Sequence, residues 1–97
     1  MDRVFQALAH SARREILDYV LAHPGAQSNE IAERFEFTRI AVRKHIKVLE
    51  QCALLTVEVS GRHRLHYFNP VPIQFIHEHW TEVYSEVFVV KKPRVRL

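Results

Sequence analysis

The chain has 97 residues, a formal net charge of +3 and a single cysteine, Cys52. This length predicts one domain with a modest core. One cysteine excludes an internal disulfide. No apolar run reaches the length of a signal peptide or a membrane-spanning helix, so we expect a cytoplasmic protein without a membrane partner.

Three amphipathic helices are predicted in the first third of the chain, over residues 2–9, 11–23 and 29–35. The expected N-caps are Ser11 for the second helix and Ser28 or Asn29 for the third. The apolar residues of the first two helices recur at helical spacing: Val4, Phe5, Leu8, Ile16, Leu17, Val20 and Leu21. The buried candidates of the third helix are Ile31, Ala32 and Phe35.

A fourth helix is predicted over residues 38–52, TRIAVRKHIKVLEQC, with Thr38 as its N-cap. Val42, Ile46 and Leu49 recur at i, i+4 and i+7 and predict a buried stripe. The basic residues lie away from that stripe: Arg39, Arg43, Lys44 and Lys47. Such a cationic face is either an ordinary solvated surface or a surface that lies against phosphates and base edges.

A β-hairpin is predicted after this helix, because residues 56–59 alternate apolar and polar side chains and residues 64–68 are rich in strand formers. Gly61 lies in the turn between them, and the tip is polar: Arg62, His63 and Arg64. Residues 38–64 hold six basic and two acidic residues. This concentration of positive charge is typical of a protein that binds a polyanion.

A last helix is predicted over residues 71–90, where apolar residues repeat at a spacing of 3-4-3-4-3 from Ile73 to Val90. This is a heptad seam, which a short chain buries by pairing with a second copy. Together with the first helix it predicts a dimer interface: Val4, Phe5, Leu8, Ile73, Ile76, Trp80, Val83, Tyr84 and Val87. An alternative for the row Trp80, Tyr84 and Phe88 is a pocket for an aromatic effector. We expect residues 1–90 to form one domain and residues 91–97 to form a flexible basic tail.

A cationic helix after a short helix and turn, followed by a basic hairpin, predicts a winged helix-turn-helix that binds duplex DNA. Arg bonds guanine O6 and N7 together, and Lys and Arg neutralise phosphates. The predicted DNA contacts are Thr38, Arg39, Ile40, Arg43, Lys44, His45, Lys47, Arg62, His63 and Arg64.

The run AVRKHIKVLEQCALLTVEVSGRHRLHYFNP, residues 41–70, resembles the winged-helix repressors of the ArsR type. Their pattern is Ala-Val-Ser-x-His-Leu-x-x-Leu-x-x-Ala-Gly-Leu-Val, then a strand, a Gly-Arg wing and Asn-Pro. The opening LAHSARREILDYV, residues 8–20, resembles the family's Leu-Ala-x-x-x-Arg-Arg-x-Ile-Leu. The resemblance implies a mainly α fold with a small β-hairpin: three N-terminal helices, a recognition helix, a two-stranded wing and a C-terminal dimerisation helix. It also implies a homodimeric repressor.

The chain departs from the family pattern at several positions. Arg43 stands where Ser is usual, and Ile40 stands where Pro is common. Ala53 and Glu36 each replace a Gly. These differences bear on the preferred operator sequence more than on the fold.

Many family members sense metals, but this sequence predicts neither a metal site nor a cofactor. The third helix has no cysteine, and His77 and His79 supply only half of the family's second ligand set. The cluster His79, Glu82 and Glu86 shares a helical face, which is more simply a solvated surface beside the seam. The spacing of Trp80 and Tyr84 resembles a branch of the family without the metal motifs.

Cys52 and the histidines each allow a further interpretation. Cys52 is either a small core residue or a redox switch. The histidines suggest an enzyme, but no nucleophile has a recognisable base partner, so catalysis is not expected. The sequence therefore predicts a homodimeric repressor at a pseudo-palindromic operator; the alternative is a winged-helix protein-interaction module. It specifies no effector.

Overall fold

A computed structural model describes residues 1–85 of the chain. Within them the fold is mainly helical with one antiparallel hairpin, as predicted. The elements in chain order are α1 (Asp2–Leu8), α2 (Ser11–Ala22), α3 (Ser28–Phe35), α4 (Arg39–Gln51), β1 (Leu55–Ser60), β2 (His63–Phe68) and α5 (Val71–Ile76). A π-helical turn, His77–Thr81, follows α5, and residues 82–85 are again α-helical.

The core lies between α2, α3 and α4 and continues under the start of the hairpin. The stripe predicted for α4 is confirmed, because Val42 and Leu49 are fully buried and Ile46 is 5% exposed. Leu21, which recurs at the same helical spacing as the buried residues of α2, is 61% exposed. The largest fully buried side chains are Ile16, Val20, Ile31, Val42, Leu49, Leu54 and Leu55.

The helices begin at caps that the sequence predicted only in part. Thr38 caps α4 as expected, since its hydroxyl accepts the Ala41 N–H at 3.1 Å. His10 rather than Ser11 caps α2, with its Nδ1 accepting the Ala12 N–H at 3.3 Å. A capping box, in which the Gln27 N–H donates to the Glu30 carboxylate at 3.0 Å, starts α3 in place of Ser28 or Asn29.

Two helices end on residues with left-handed backbone. Glu36 follows α3 with a φ of 57°, and Ala53 follows α4 with a φ of 63°. The Leu54 N–H then reaches back to the Leu49 carbonyl at 2.9 Å, which is a Schellman ending. Both are positions at which the family pattern has Gly, the residue that adopts this conformation without a steric cost.

The hairpin joins the helical body through an additional short pairing. Its strands are antiparallel from Leu55 opposite Phe68 to Ser60 opposite His63, and Gly61 has a φ of 60° in the turn. Ala26, in the loop between α2 and α3, pairs with β2. Its carbonyl accepts the backbone N–H of His66 at 3.0 Å, which fixes the wing to the domain.

The last helix, predicted over residues 71–90, is helical throughout its described part and contains a π-helical turn. The Glu82 N–H donates to the His77 carbonyl five residues back, which widens the turn. A side-chain bond of 2.8 Å between His77 Nδ1 and the Thr81 hydroxyl spans the same turn. The seam residues Val87 and Val90 lie outside the described residues, as do Phe88, Glu86 and the predicted tail. No helix within residues 1–85 is both long enough and apolar enough to cross a membrane.

Candidate nucleic-acid interface

The outer face of α4 is cationic. Arg39, Arg43, Lys44 and Lys47 are all exposed, as the sequence predicts. In the described part of the chain, none of these four cations lies within 4.0 Å of a carboxylate. Ile40 lies among them and is 66% exposed, which is a large exposure for an isoleucine at the start of a helix. This face has positive charge and one apolar side chain available for a ligand.

Thr38 caps α4 with its hydroxyl oxygen and can still donate its hydroxyl proton to another acceptor. Its hydroxyl oxygen accepts the Ala41 N–H, so its own O–H remains available as a donor. Because Thr38 is exposed at the N-terminus of α4, where the helix dipole is positive, this donor lies where an anionic oxygen is favoured.

His45 is less exposed than the other predicted DNA contacts. It is half-buried, and its ring lies 4.7 Å from the ring of His10 and 6.4 Å from that of Phe37. Burial lowers the pKa of His45 below its ordinary 6.5, and electrostatic interaction with His10 and Arg13 lowers it further. The geometry gives His45 a packing contact with the start of α2. Its contact with phosphate stays a prediction.

The three polar residues of the wing differ in the contacts that they make. Arg62 is exposed at the tip, without an ion pair inside residues 1–85. His63 Nδ1 lies 3.0 Å from Gln27 Oε1, so the wing contacts the cap of α3. Arg64 Nη2 lies 3.7 Å from Glu50 Oε1 at the end of α4. These contacts define where the wing stands relative to α4.

His66 is a structural residue that the sequence analysis missed. It is 2% exposed, and its Nδ1 lies 2.8 Å from the Ala26 carbonyl. Because a carbonyl only accepts, Nδ1 carries a proton and donates. Its Nε2 lies 3.6 Å from Glu50 Oε1. Strand alternation could have placed His66 on an inward face, but no local signal identifies a partner 40 residues away.

The recognition helix and the wing meet around one cavity of about 330 Å³. Arg43 and Lys47 line it from α4, and Arg64 lines it from β2. Ser28, at the start of α3, closes another side. The structure therefore brings together three of the predicted DNA contacts at one place, while Arg62 stands apart at the tip of the wing.

The predicted dimer residues divide into two groups. Val4 and Ile76 are buried within the core of the single chain, and Leu8 packs against it. The others form an exposed aromatic and aliphatic surface, which we call the seam surface. Its residues are Phe5, Ile73, Trp80, Val83 and Tyr84. The rings of Phe5 and Trp80 meet edge to face at 5.5 Å, so α1 and the last helix contribute to one surface.

Within residues 1–85, no three side chains of His, Cys, Asp or Glu lie close enough together to hold a metal ion. His77 Nδ1 contacts the Thr81 hydroxyl, and His79 Nδ1 donates to the Phe75 carbonyl at 2.9 Å. Glu86, the third member of the cluster considered from the sequence, lies outside the described residues. Cys52 is half-buried, with its thiol 3.5 Å from the Leu49 carbonyl.

Comparison with known proteins identifies relatives that share this fold. A family profile described as a helix-turn-helix domain matches residues 8–59. The chain is 33% identical over 87 residues to the HTH-type transcriptional regulator YuzN of Bacillus subtilis, covering 84% of this chain and 95% of that protein. A crystal structure of an ArsR family transcriptional regulator, RHA00566, has 29% identity and a TM-score of 0.75, with 90% of this chain and 88% of that chain covered. The chain belongs to the ArsR family of winged helix-turn-helix transcriptional regulators.

Other relatives extend the comparison. The regulator is 27% identical over 74 residues to the transcriptional repressor SdpR of Bacillus subtilis, covering 76% of this chain and 81% of that protein. The solution structure of the homodimeric winged helix-turn-helix domain Mb0332 from Mycobacterium bovis has 19% identity and a TM-score of 0.68. The match covers 88% of this chain and 78% of that chain. At that identity the likeness shows the fold alone. The resemblance predicted from residues 41–70 is thus confirmed, and the regulator has a DNA-binding fold.

Proposed function

We propose that this regulator represses transcription as a homodimer bound to a pseudo-palindromic operator in duplex DNA. The observation that carries the proposal is the cationic face of α4, which has no ion pair to a carboxylate of residues 1–85. This face stands next to a wing fixed by Ala26 and Glu50. Electrostatic attraction to phosphates supplies much of the affinity of such proteins. Base contacts from the recognition helix then supply the sequence preference.

The two halves of α4 have different roles in this proposal. The first half meets base edges in helix-turn-helix proteins, so Arg43 bonds guanine and Ile40 contacts a thymine methyl. Arg39 and Lys44 flank them on the same face. Phosphates are contacted by the side chains at the margins: Thr38, His45 and Lys47. The wing residues Arg62, His63 and Arg64 reach the DNA backbone or an adjacent minor groove.

The seam surface supports the homodimer. Trp80 is 49% exposed, Val83 71% and Tyr84 46%, and the Trp80 ring contacts those of Phe5 and Tyr84. Monomeric soluble proteins rarely expose so many large apolar side chains together. A two-fold dimer would bury this surface against its own copy and place two recognition helices on half-sites about one helical turn apart. The homodimeric state of the Mycobacterium bovis neighbour agrees with this arrangement.

Repression follows when such a dimer occupies a promoter, and SdpR, a relative of this regulator, is a transcriptional repressor. We further propose that residues 1–90 act as one domain, followed by the basic segment 91–97. The relatives are regulators, and the chain needs no catalytic group for this role.

The test is selection of bound duplexes from a random pool by purified protein at near-physiological salt. An enriched motif with two-fold symmetry supports the dimeric operator. The Arg34→Ala variant, altered on α3 away from the cationic face, should enrich the same motif and serves as the control. Weak, salt-sensitive retention without any enriched motif would instead favour the protein-interaction module.

A further inference from the structure

A second cavity, of about 520 Å³, lies on another side of the domain between α1, the start of α2 and the end of α4. Its lining residues are Arg3, Gln6, Ala7, Arg13, Val48, Gln51 and Cys52. The other described cavities include carboxylates in their walls, for example Glu50, Glu82 or Asp18. Among residues 1–85, the charged groups that line this one are two guanidiniums, Arg3 and Arg13, so its described lining is positively charged.

The guanidinium of Arg13 is held in a fixed orientation. Its Nε donates to the Ala7 carbonyl at 2.8 Å, and its Nη2 donates to the Gln6 carbonyl at 3.3 Å. An arginine has five N–H donors, so three remain for another acceptor. Within residues 1–85, neither Arg13 nor Arg3 has a carboxylate within 4.0 Å. The cavity thus holds preoriented cationic donors that the described chain does not neutralise.

The remaining walls suit the body of a small molecule. Gln6 and Gln51 offer amides, while Val48 and Ala7 are apolar. Small-molecule sites combine an apolar wall with a few polar groups that fix orientation, and this volume lies in their usual range. A guanidinium pair selects carboxylate or phosphate because both present oxygens that accept two N–H groups together. We propose that this cavity binds a small organic anion, with its anionic group between Arg3 and Arg13.

Binding there would act on both functional surfaces. α1 carries Arg3 and Gln6 at the cavity and Phe5 at the seam surface, where it meets Trp80. Gln51 belongs to the end of the recognition helix α4. An anion bound between them would bias the relative position of α1 and α4 and so change the affinity for DNA. This regulatory step rests on the proposed function, whereas the anion site does not.

Cys52 makes the site testable without a label, because it is the only cysteine of the chain and lies in the cavity wall. The rate at which N-ethylmaleimide alkylates Cys52 is measured with increasing benzoate at constant ionic strength. Benzamide, the neutral analogue of the same shape, is the ligand control. We expect benzoate to slow alkylation in a saturable way and benzamide to have little effect.

A pair of variants separates a specific site from general anion binding. Arg3→Gln, an exposed change that removes no bond within the described chain, should weaken benzoate protection about tenfold, the equivalent of one charge-assisted hydrogen bond. Arg34→Gln removes the same charge at a distant cavity and should leave protection unchanged. Equal protection by benzamide, or full protection in Arg3→Gln, would overturn the site.

The regulatory step is read separately as the affinity for the selected operator with and without saturating benzoate. A change in affinity that Arg3→Gln abolishes supports it. Protection of Cys52 without any change in DNA affinity keeps the anion site and overturns its regulatory role. If no operator is found, the proposed function fails, while the alkylation result stands by itself.

Discussion

The buried imidazole of His66 lies 3.6 Å from the carboxylate of Glu50 and joins the wing to the recognition helix. Its other nitrogen donates to the Ala26 carbonyl at 2.8 Å. His66 thus links β2, α4 and the loop before α3, the three segments that set the angle of the wing.

Replacing His66 by Leu should lower the free energy of unfolding by about 1–3 kcal/mol, because it removes a buried hydrogen bond. Glu50→Gln, on a side chain 27% exposed, should cost less, since partly solvated ion pairs contribute little. Urea unfolding of both variants gives the comparison. Parent-like stability of His66→Leu would show that the link is not structural.

Replacing Arg43 by Ala should weaken binding to the selected operator by about 1–3 kcal/mol and relax the preference at one base pair. Arg62→Ala at the tip of the wing is the matched control, because a phosphate contact weakens all duplexes nearly alike. Titration of each variant against operator and scrambled duplexes distinguishes the two effects. Operator affinity equal to that of the parent in Arg43→Ala would mean that α4 does not read the bases.

Replacing Trp80 by Glu should give monomers, because a charge at the seam surface would have to be buried without a partner. Val59→Glu is the control, as Val59 is 65% exposed on the hairpin and lies outside the seam surface. Light scattering at matched concentrations reports the mass. A Trp80→Glu protein that stays dimeric would require another interface.

Replacing Ala53 by Gly should stabilise the protein by about 0.5–1 kcal/mol, because a φ of 63° strains an alanine and suits glycine. Glu36→Gly, at a φ of 57°, should act in the same direction. Ala9→Gly is the matched control, since Ala9 also ends a helix but with a φ of −75°. There glycine only increases the freedom of the unfolded chain, so thermal unfolding should show a loss.

The lowered pKa of His45 predicts a loss of stability in mild acid. Because the folded state holds this pKa below the unfolded value of 6.5, the unfolded chain binds the proton more readily. Stability should therefore fall as the pH decreases below about 6.5, and His45→Gln should reduce that slope. His23→Gln, on an exposed ring, is the comparison. Parallel pH profiles for the parent and His45→Gln would contradict this assignment.

The parts of the fold that depend on nearby residues were predictable from sequence. The stripe of Val42, Ile46 and Leu49, the cap at Thr38 and the turn at Gly61 all depend on spacings of a few residues. For the same reason the exposed basic face of α4 could be predicted, since burial of one stripe leaves the opposite face in solvent.

Other features depend on contacts that sequence spacing does not encode. His66 meets Ala26 across 40 residues, and only the fold brings them together. The caps His10 and Gln27 were missed because Ser and Asn nearby are the stronger intrinsic cappers. The π-helical turn at His77–Thr81 leaves the heptad spacing intact in sequence, so the apolar pattern alone could not reveal it.

The edge-to-face contact of Phe5 with Trp80 has a spectroscopic consequence. Trp80 is the only tryptophan in the chain, so the tryptophan emission of the protein comes from one ring at one place. That ring is 49% exposed in the single chain, and the copy proposed to cover it would remove it from water. The tryptophan emission maximum of the unmodified protein, followed on dilution, therefore reports directly whether the seam surface is buried in the dimer or exposed to water.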